Sequence, residues 1–189
     1  MHKVHSPSRV MIVAIGALLV GLLIFTGYYL YKQSKSVIDT AIADDIELLQ
    51  KIFTSIDQEC EITDIMHDRS YIDFLAIKDF AGNQVGALQL RYADKWKGPY
   101  VEKNPTMQGK MYELVKVKDG YVIVPGEGIR LANGKVMGKE IVLNASTEIE
   151  PYLTQSAGLE FKGRLLAARL LLRHAHVIPP ATIMSEAGA

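Results

Sequence analysis

The order of apolar and polar positions divides the chain into three stretches with different periodicities. From Val10 to Leu30 no residue is charged, and Arg9 and Lys32 flank the run. As a helix rising about 1.5 Å per residue, such a run measures roughly 32 Å, enough to cross a bilayer core of about 30 Å. It outlasts the apolar core of a signal peptide, about 7–15 residues. It also ends in Tyr28, Tyr29 and Tyr31, whose rings suit a membrane–water interface. These features predict an uncleaved transmembrane helix over residues 10–31, behind a short basic tail at 1–9. Because the tail is so short, a cytoplasmic N-terminus is expected. The rest of the chain would then be periplasmic or otherwise extracytoplasmic, held to the inner membrane by a single pass, with the lipid bilayer as a partner.

Beyond Lys32 the apolar positions become periodic. Ile38, Ile42, Leu49, Ile52 and Ile56 recur at helical gaps, with Val37, Ala41, Leu48 and Phe53 beside them. Asp44, Asp45, Glu47, Gln50 and Lys51 fill much of the other face, and no Gly or Pro occurs between Tyr28 and Gln58. Residues 32–58 are therefore expected to continue the helix as an amphipathic segment whose stripe buries against something.

From 59 to 150 the period shortens to that of strands. "YIDFLAIK" reads as a strand, and "VGALQLRY" fits strand or helix. "YELVKVKDGYVIV" holds two alternating runs joined at Asp119-Gly120, with Lys116 and Lys118 outward and Val115 and Val117 inward. "IRLANGKVMGKEIVL" repeats the device at Asn133-Gly134 and extends to about Leu143. The predicted fold class is α+β: an N-terminal helix that starts in the membrane, packs on a small antiparallel sheet, and is joined by a C-terminal helix. Residues 151–157 read as a linker within the terminal segment 151–189. "GLEFKGRLLAARLLLRHAH" then reads as a helix on which Lys162, Arg169, Arg173 and His176 fall within about 60° of one another at about 100° per residue. Such a basic amphipathic helix would meet a membrane surface or a partner. Pro179-Pro180 would end it ahead of a disordered tail.

Charge refines this picture. Residues 36–150 hold 13 basic and 19 acidic side chains, so the middle is acidic, while residues 1–35 carry four basic and no acidic ones. An acidic head argues against a nucleic-acid face. The single cysteine, Cys60, leaves no internal disulfide, and with no histidine near it in sequence it reads as a structural thiol.

Catalytic chemistry is sparse. His67 has Asp64, Asp68 and Asp73 near it but lacks a metal-ligand spacing. "GEGIRLANG" joins two strands and does not open a helix, unlike a nucleotide loop. Asn144-Ala145-Ser146 matches the glycosylation triplet, a pattern short enough to recur by chance. No enzyme, cofactor or metal site is expected.

Two longer stretches carry a resemblance. "DKWKGPYVEKNPTMQGKMYEL" resembles the turn and strand entry of type II secretion pseudopilins, relatives of type IV pilins, and "PGEGIRLANGKVMGKEI" resembles the hairpin and terminal loop that follow there. The likeness spans roughly residues 10–143. It implies a non-catalytic structural subunit of a secretion or pilus assembly, partnered by other pilin-like subunits. It also implies subunit or packing contacts at Trp96, Gly98, Pro99 and Tyr100, and close helix approach at Gly16, Gly21 and Gly27. In some pseudopilins the loop after the last hairpin holds calcium. The oxygen donors available here, Asp119, Glu127 and Glu140, are single carboxylates spread along the hairpins. The leader "MHKVHSPSR" lacks the prepilin Gly, and the apolar span lacks the family's Glu. These departures favour the alternative of a signal-anchored extracytoplasmic binding or scaffold domain that does not polymerise.

Overall fold

The computed structural model describes residues 9–154 and 158–173, with side chains throughout except at 9–13 and 31–36. The chain forms two compact units, one ending at Ile38 and one beginning at Asp39. Helix α1 (Arg9–Cys60) supplies the described residues of the first unit and the opening helix of the second.

Among the described residues no helix is long and apolar enough to cross a membrane. From Asp39 onward α1 alternates carboxylates with its apolar stripe. This corrects the transmembrane span expected over 10–31, and with it the single-pass inner-membrane placement and the cytoplasmic N-terminus built on that span.

In the second unit the stripe finds its partner. Ile42, Ala43, Ile46, Leu49, Phe53, Ile56 and Cys60 are buried, spaced by three and four residues as one helical face requires. Phe53 meets Phe74 edge-on with ring centroids 6.1 Å apart, a favoured aromatic geometry. Val37 and Leu48 lie off this face and stay exposed. The helix ends at Cys60, where Glu61 takes a left-handed φ of 56°.

The strands gather into several small antiparallel sheets. One has the order β1 (Ile62–Ile65), β4 (Leu88–Leu90), β3 (Gln84–Val85). The larger has the order β11 (Ala168–Leu170), β8 (Gly120–Val124), β7 (Glu113–Val117), β2 (Arg69–Tyr71). A separate hairpin pairs β5 (Thr106–Met107) with β6 (Lys110–Met111). A single 3₁₀ turn covers Ala93–Lys95, and α2 is a short helix at Glu150–Thr154.

Turn chemistry explains the local choices. β7 and β8 pair from Glu113↔Val124 to Val117↔Gly120, so the two loop residues are Lys118 and Asp119, one position earlier than the sequence suggested. "VGALQLRY" resolves as strand, folding back at Gly86 with φ 54°. Asn133-Gly134 does make a turn, with Gly134 at φ 87°, and its flanks are joined by the Leu131 N–H to Lys135 O and the Met137 N–H to Ile129 O, both at 2.9 Å, around a bridge between Arg130 and Val136, but no strand runs on to Leu143.

The expected C-terminal helix is also corrected. In its place stand β9 (Glu160–Phe161), β10 (Arg164–Leu165) and β11. Phe161 pairs with Arg164 across Lys162-Gly163, both at positive φ (51° and 77°). A two-residue loop of that kind belongs to a hairpin and interrupts any helix. β11 then pairs with β8 through Ala168↔Ile123 and Leu170↔Tyr121, and this pairing overrides the helical propensity of the leucine run. Lys162, Arg169 and Arg173 therefore share no helical face. His174, His176 and Pro179-Pro180 lie outside the described residues.

Candidate functional site

Two features stand out once the elements are placed. The first lies in the first unit, where the side chains from Ala14 to Leu30 are exposed around the helix, among them Leu23 at 71% and Phe25 at 70%. Nothing lies within 4 Å of a Cβ built on Gly16, Gly21 or Gly27, so this surface is open at each glycine.

The second is the corner at Trp96-Lys97-Gly98-Pro99-Tyr100. The Gly98–Pro99 peptide bond is cis. Trp96 Nε1 donates to the Ile77 carbonyl at 3.1 Å, and the indole meets Phe80 and Tyr100 edge-on at centroid distances of 5.4 and 4.8 Å. The Lys97 backbone N–H donates to Tyr100 Oη at 3.3 Å, and Lys97 Nζ pairs with Glu59 of α1 at 2.8 Å. Burial pushes the Tyr100 phenol above its ordinary range. The indole therefore holds the corner to the 77–80 segment, and the corner reaches the end of α1 through Lys97, on Glu59, and through Tyr100, beside Cys60. A side chain at Gly98 would collide with Trp96 Nε1 at 2.3 Å and with Ile77 O at 2.4 Å, so only glycine fits.

The residues weighed for chemistry are dispersed or occupied. His67, Asp64, Asp68 and Asp73 are all exposed, and Asp68 pairs with Lys116 at 3.4 Å. Among the described residues no group of three or more His, Cys, Asp or Glu is placed to hold a metal. Of the carboxylates considered for calcium, Glu127 pairs with Arg69 at 2.9 Å and Glu140 accepts the Val136 N–H at 2.9 Å. Cys60 is buried, and burial pushes its thiol up, away from the reactive thiolate. Asn144 Oδ1 accepts from the Ser146 N–H, the Ser146 hydroxyl and the Thr147 hydroxyl, closing a local turn.

Sequence reasoning missed the buried polar framework. Glu113 is 1% exposed and accepts from Arg69 Nη1 at 2.6 Å and from the Glu127 N–H at 3.0 Å, while Arg69 Nη2 donates to Leu143 O at 3.0 Å. Asp39 is also buried and accepts the Ala132 N–H at 3.0 Å. Glu113 shares the parity of the inward-facing Val115 and Val117 on β7, a signal that sequence reasoning left unused, while its Arg69 partner lies 44 positions away. Comparison with known proteins adds no relative: no family model, no curated protein and no solved structure matches the chain.

Proposed function

We propose that the chain is a pilin-like structural subunit that assembles with copies of itself or similar subunits and carries out no reaction of its own. One observation carries the reading: the helix of the first unit presents large apolar side chains on all sides, from Ile15 to Leu30. Contiguous exposed apolar surface on this scale is rare on a solitary chain and marks an interaction surface. Burying each such side chain contributes about 1.5–3 kcal/mol, so packing several helices side by side is strongly favourable. The open space at Gly16, Gly21 and Gly27 supports close approach of neighbouring backbones there. The Trp96 corner and the antiparallel sheets of the second unit form a folded head, and the resemblance of its turn to the pseudopilin turn supports the same assignment.

The test uses the full chain with Val20→Cys, leaving the buried Cys60 in place. Under mild oxidation or with a short bismaleimide, an assembly subunit gives dimers, and with Cys60 made reactive in mild denaturant it gives a ladder. Monomer alone across the accessible concentration range would overturn the assembly reading and leave a solitary binding domain.

A further inference from the structure

The chain holds four asparagines, Asn83, Asn104, Asn133 and Asn144, and only Asn133 is followed by glycine. That pairing carries chemistry of its own. The backbone nitrogen after an asparagine can attack the side-chain carbonyl, and a side chain on the attacking residue crowds the approach. Gly134 has no Cβ to do so. Asn133 is exposed, so solvent reaches the pair.

The fold prepares one partner of this attack and withholds the other. Asn133 Oδ1 accepts the Lys135 N–H at 3.0 Å, which polarises the side-chain carbonyl. The Gly134 N–H, however, donates to Leu131 O at 2.9 Å, so the attacking nitrogen is engaged. The turn that carries it is closed by the Leu131 and Met137 N–H groups, on Lys135 O and Ile129 O. The amide that the reaction would expel is engaged as well. Asn133 Nδ2 donates to Gly158 O at 3.2 Å, across 25 positions of sequence. Gly158 opens the described C-terminal segment, and the next residue, Leu159, donates its N–H to Tyr152 O at 2.7 Å and accepts from the Leu166 N–H at 2.8 Å. Asn133 therefore joins the turn to the start of the segment that ends in β11.

We propose that Asn133 is a site of spontaneous deamidation that the fold holds in check, and that its conversion loosens the segment from Gly158 onward. Gly134 N loses its proton to a base in solution and bonds to Asn133 Cγ. The Cγ–Nδ2 bond breaks, the departing nitrogen takes up a proton, and ammonia leaves behind a cyclic imide. Water opens the imide at either carbonyl, giving aspartate or isoaspartate. The net change exchanges ammonia for water, and nothing is oxidised or reduced. The folded turn slows the first step, because Gly134 N has to leave Leu131 O and the turn has to open locally. Either product puts a carboxylate in place of the amide donor, so an acceptor without a proton faces the Gly158 carbonyl. Isoaspartate also adds an atom to the main chain between Ala132 and Gly134, which breaks the Leu131–Lys135 pairing. The inference does not depend on the assembly reading, because every residue involved lies in the second unit.

The full chain is incubated in mildly alkaline buffer, folded and in urea, beside a synthetic peptide of residues 129–138. Deamidation at each asparagine is read from the masses of digested fragments, with isoaspartate separated by chromatography. The peptide and the chain in urea should convert at similar rates, at Asn133 ahead of the other asparagines. The folded chain should convert at least about tenfold more slowly. Asn133→Asp imitates one product. In it, amide exchange at Leu159 and Leu166 should quicken at least about fivefold, while β7 exchanges as in wild type. A folded chain that converts as fast as the peptide would overturn the proposal. So would conversion in urea that favours Asn83 or Asn144, wild-type exchange at Leu159 and Leu166 in Asn133→Asp, or quickening there that β7 shares equally.

Discussion

Tyr112 Oη donates a 2.7 Å hydrogen bond to Asp45 Oδ2, tying the residue just before β7 to α1 across 67 positions of sequence. The ring is fully buried while Asp45 keeps some contact with water. Tyr112→Phe keeps the ring and removes the donor, and should lower stability by about 1–2 kcal/mol, read from the midpoint of urea unfolding.

The same pair has a signature in base. Burial first, and the Asp45 acceptor second, hold the Tyr112 phenol far above its ordinary range. The folded chain therefore keeps a proton that the unfolded chain releases near pH 10. The resulting stability is fully present below about pH 10 and is lost as the pH rises above it. Tyr100 and Tyr121 are shifted the same way but remain in both proteins, so the comparison isolates Tyr112. Wild type should lose stability more steeply than Tyr112→Phe between about pH 9.5 and 11; parallel curves would contradict the assignment.

Asp39 gives the opposite test in acid. Burial raises its carboxyl above the usual range, partly opposed by the Ala132 N–H that it accepts. The folded state holds this proton more tightly than the unfolded chain, so the contribution of Asp39 to stability declines as the pH rises through its folded value. Asp39→Asn keeps an acceptor for Ala132 and cannot ionise. The stability of the variant relative to wild type should therefore rise from about pH 3 to pH 7. A difference that stays flat with pH would refute this.

The Arg69–Glu113 pair should behave as a unit. Removing the guanidinium leaves a carboxylate that is 1% exposed, held only by the Glu127 N–H. Arg69→Met is expected to cost about 3 kcal/mol or more. Arg69→Met with Glu113→Gln should be more stable than Arg69→Met alone, because the stranded charge is gone. A double-mutant cycle by chemical denaturation reads the coupling directly.

Gly98→Ala places its new methyl between the Trp96 Nε1 donor and the Ile77 acceptor. The indole has to move, at about 1–3 kcal/mol of stability. Trp96 is the sole tryptophan of the chain, so its fluorescence maximum should shift to longer wavelength as the ring gains water.

Several of these elements were legible in the sequence because their causes are local. The buried stripe of α1 from Ile42 to Ile56 and, on β7, the inward Val115 and Val117 with the outward Lys116 follow from periodicity alone. The C-terminal strands were not legible. Leu165 to Leu172 has the composition of a helix, and only its pairing with β8, more than forty positions earlier, makes it a strand. The register of the β7–β8 turn moved by one residue: Lys118 and Asp119 form the loop, and the positive φ, 123°, falls on Gly120, the first residue of β8. The apolar run from Val10 was read as a membrane span from length and uniformity, and the described helix does not meet that test. The contact of Asn133 with Gly158 joins positions 25 residues apart, which no single segment encodes.

One buried carboxylate sets a practical boundary on the molecule. Asp57 receives the Ile62 N–H on one oxygen at 3.1 Å and the Arg173 N–H on the other at 3.0 Å. The last described residue thus closes a loop back onto the end of the first helix. Any recombinant fragment intended to reproduce the head has to run from before Asp39 through Arg173. A version trimmed at residue 150 would leave β8 as a bare margin and Asp57 short of one of its two donors, and it should aggregate where the longer fragment stays dispersed.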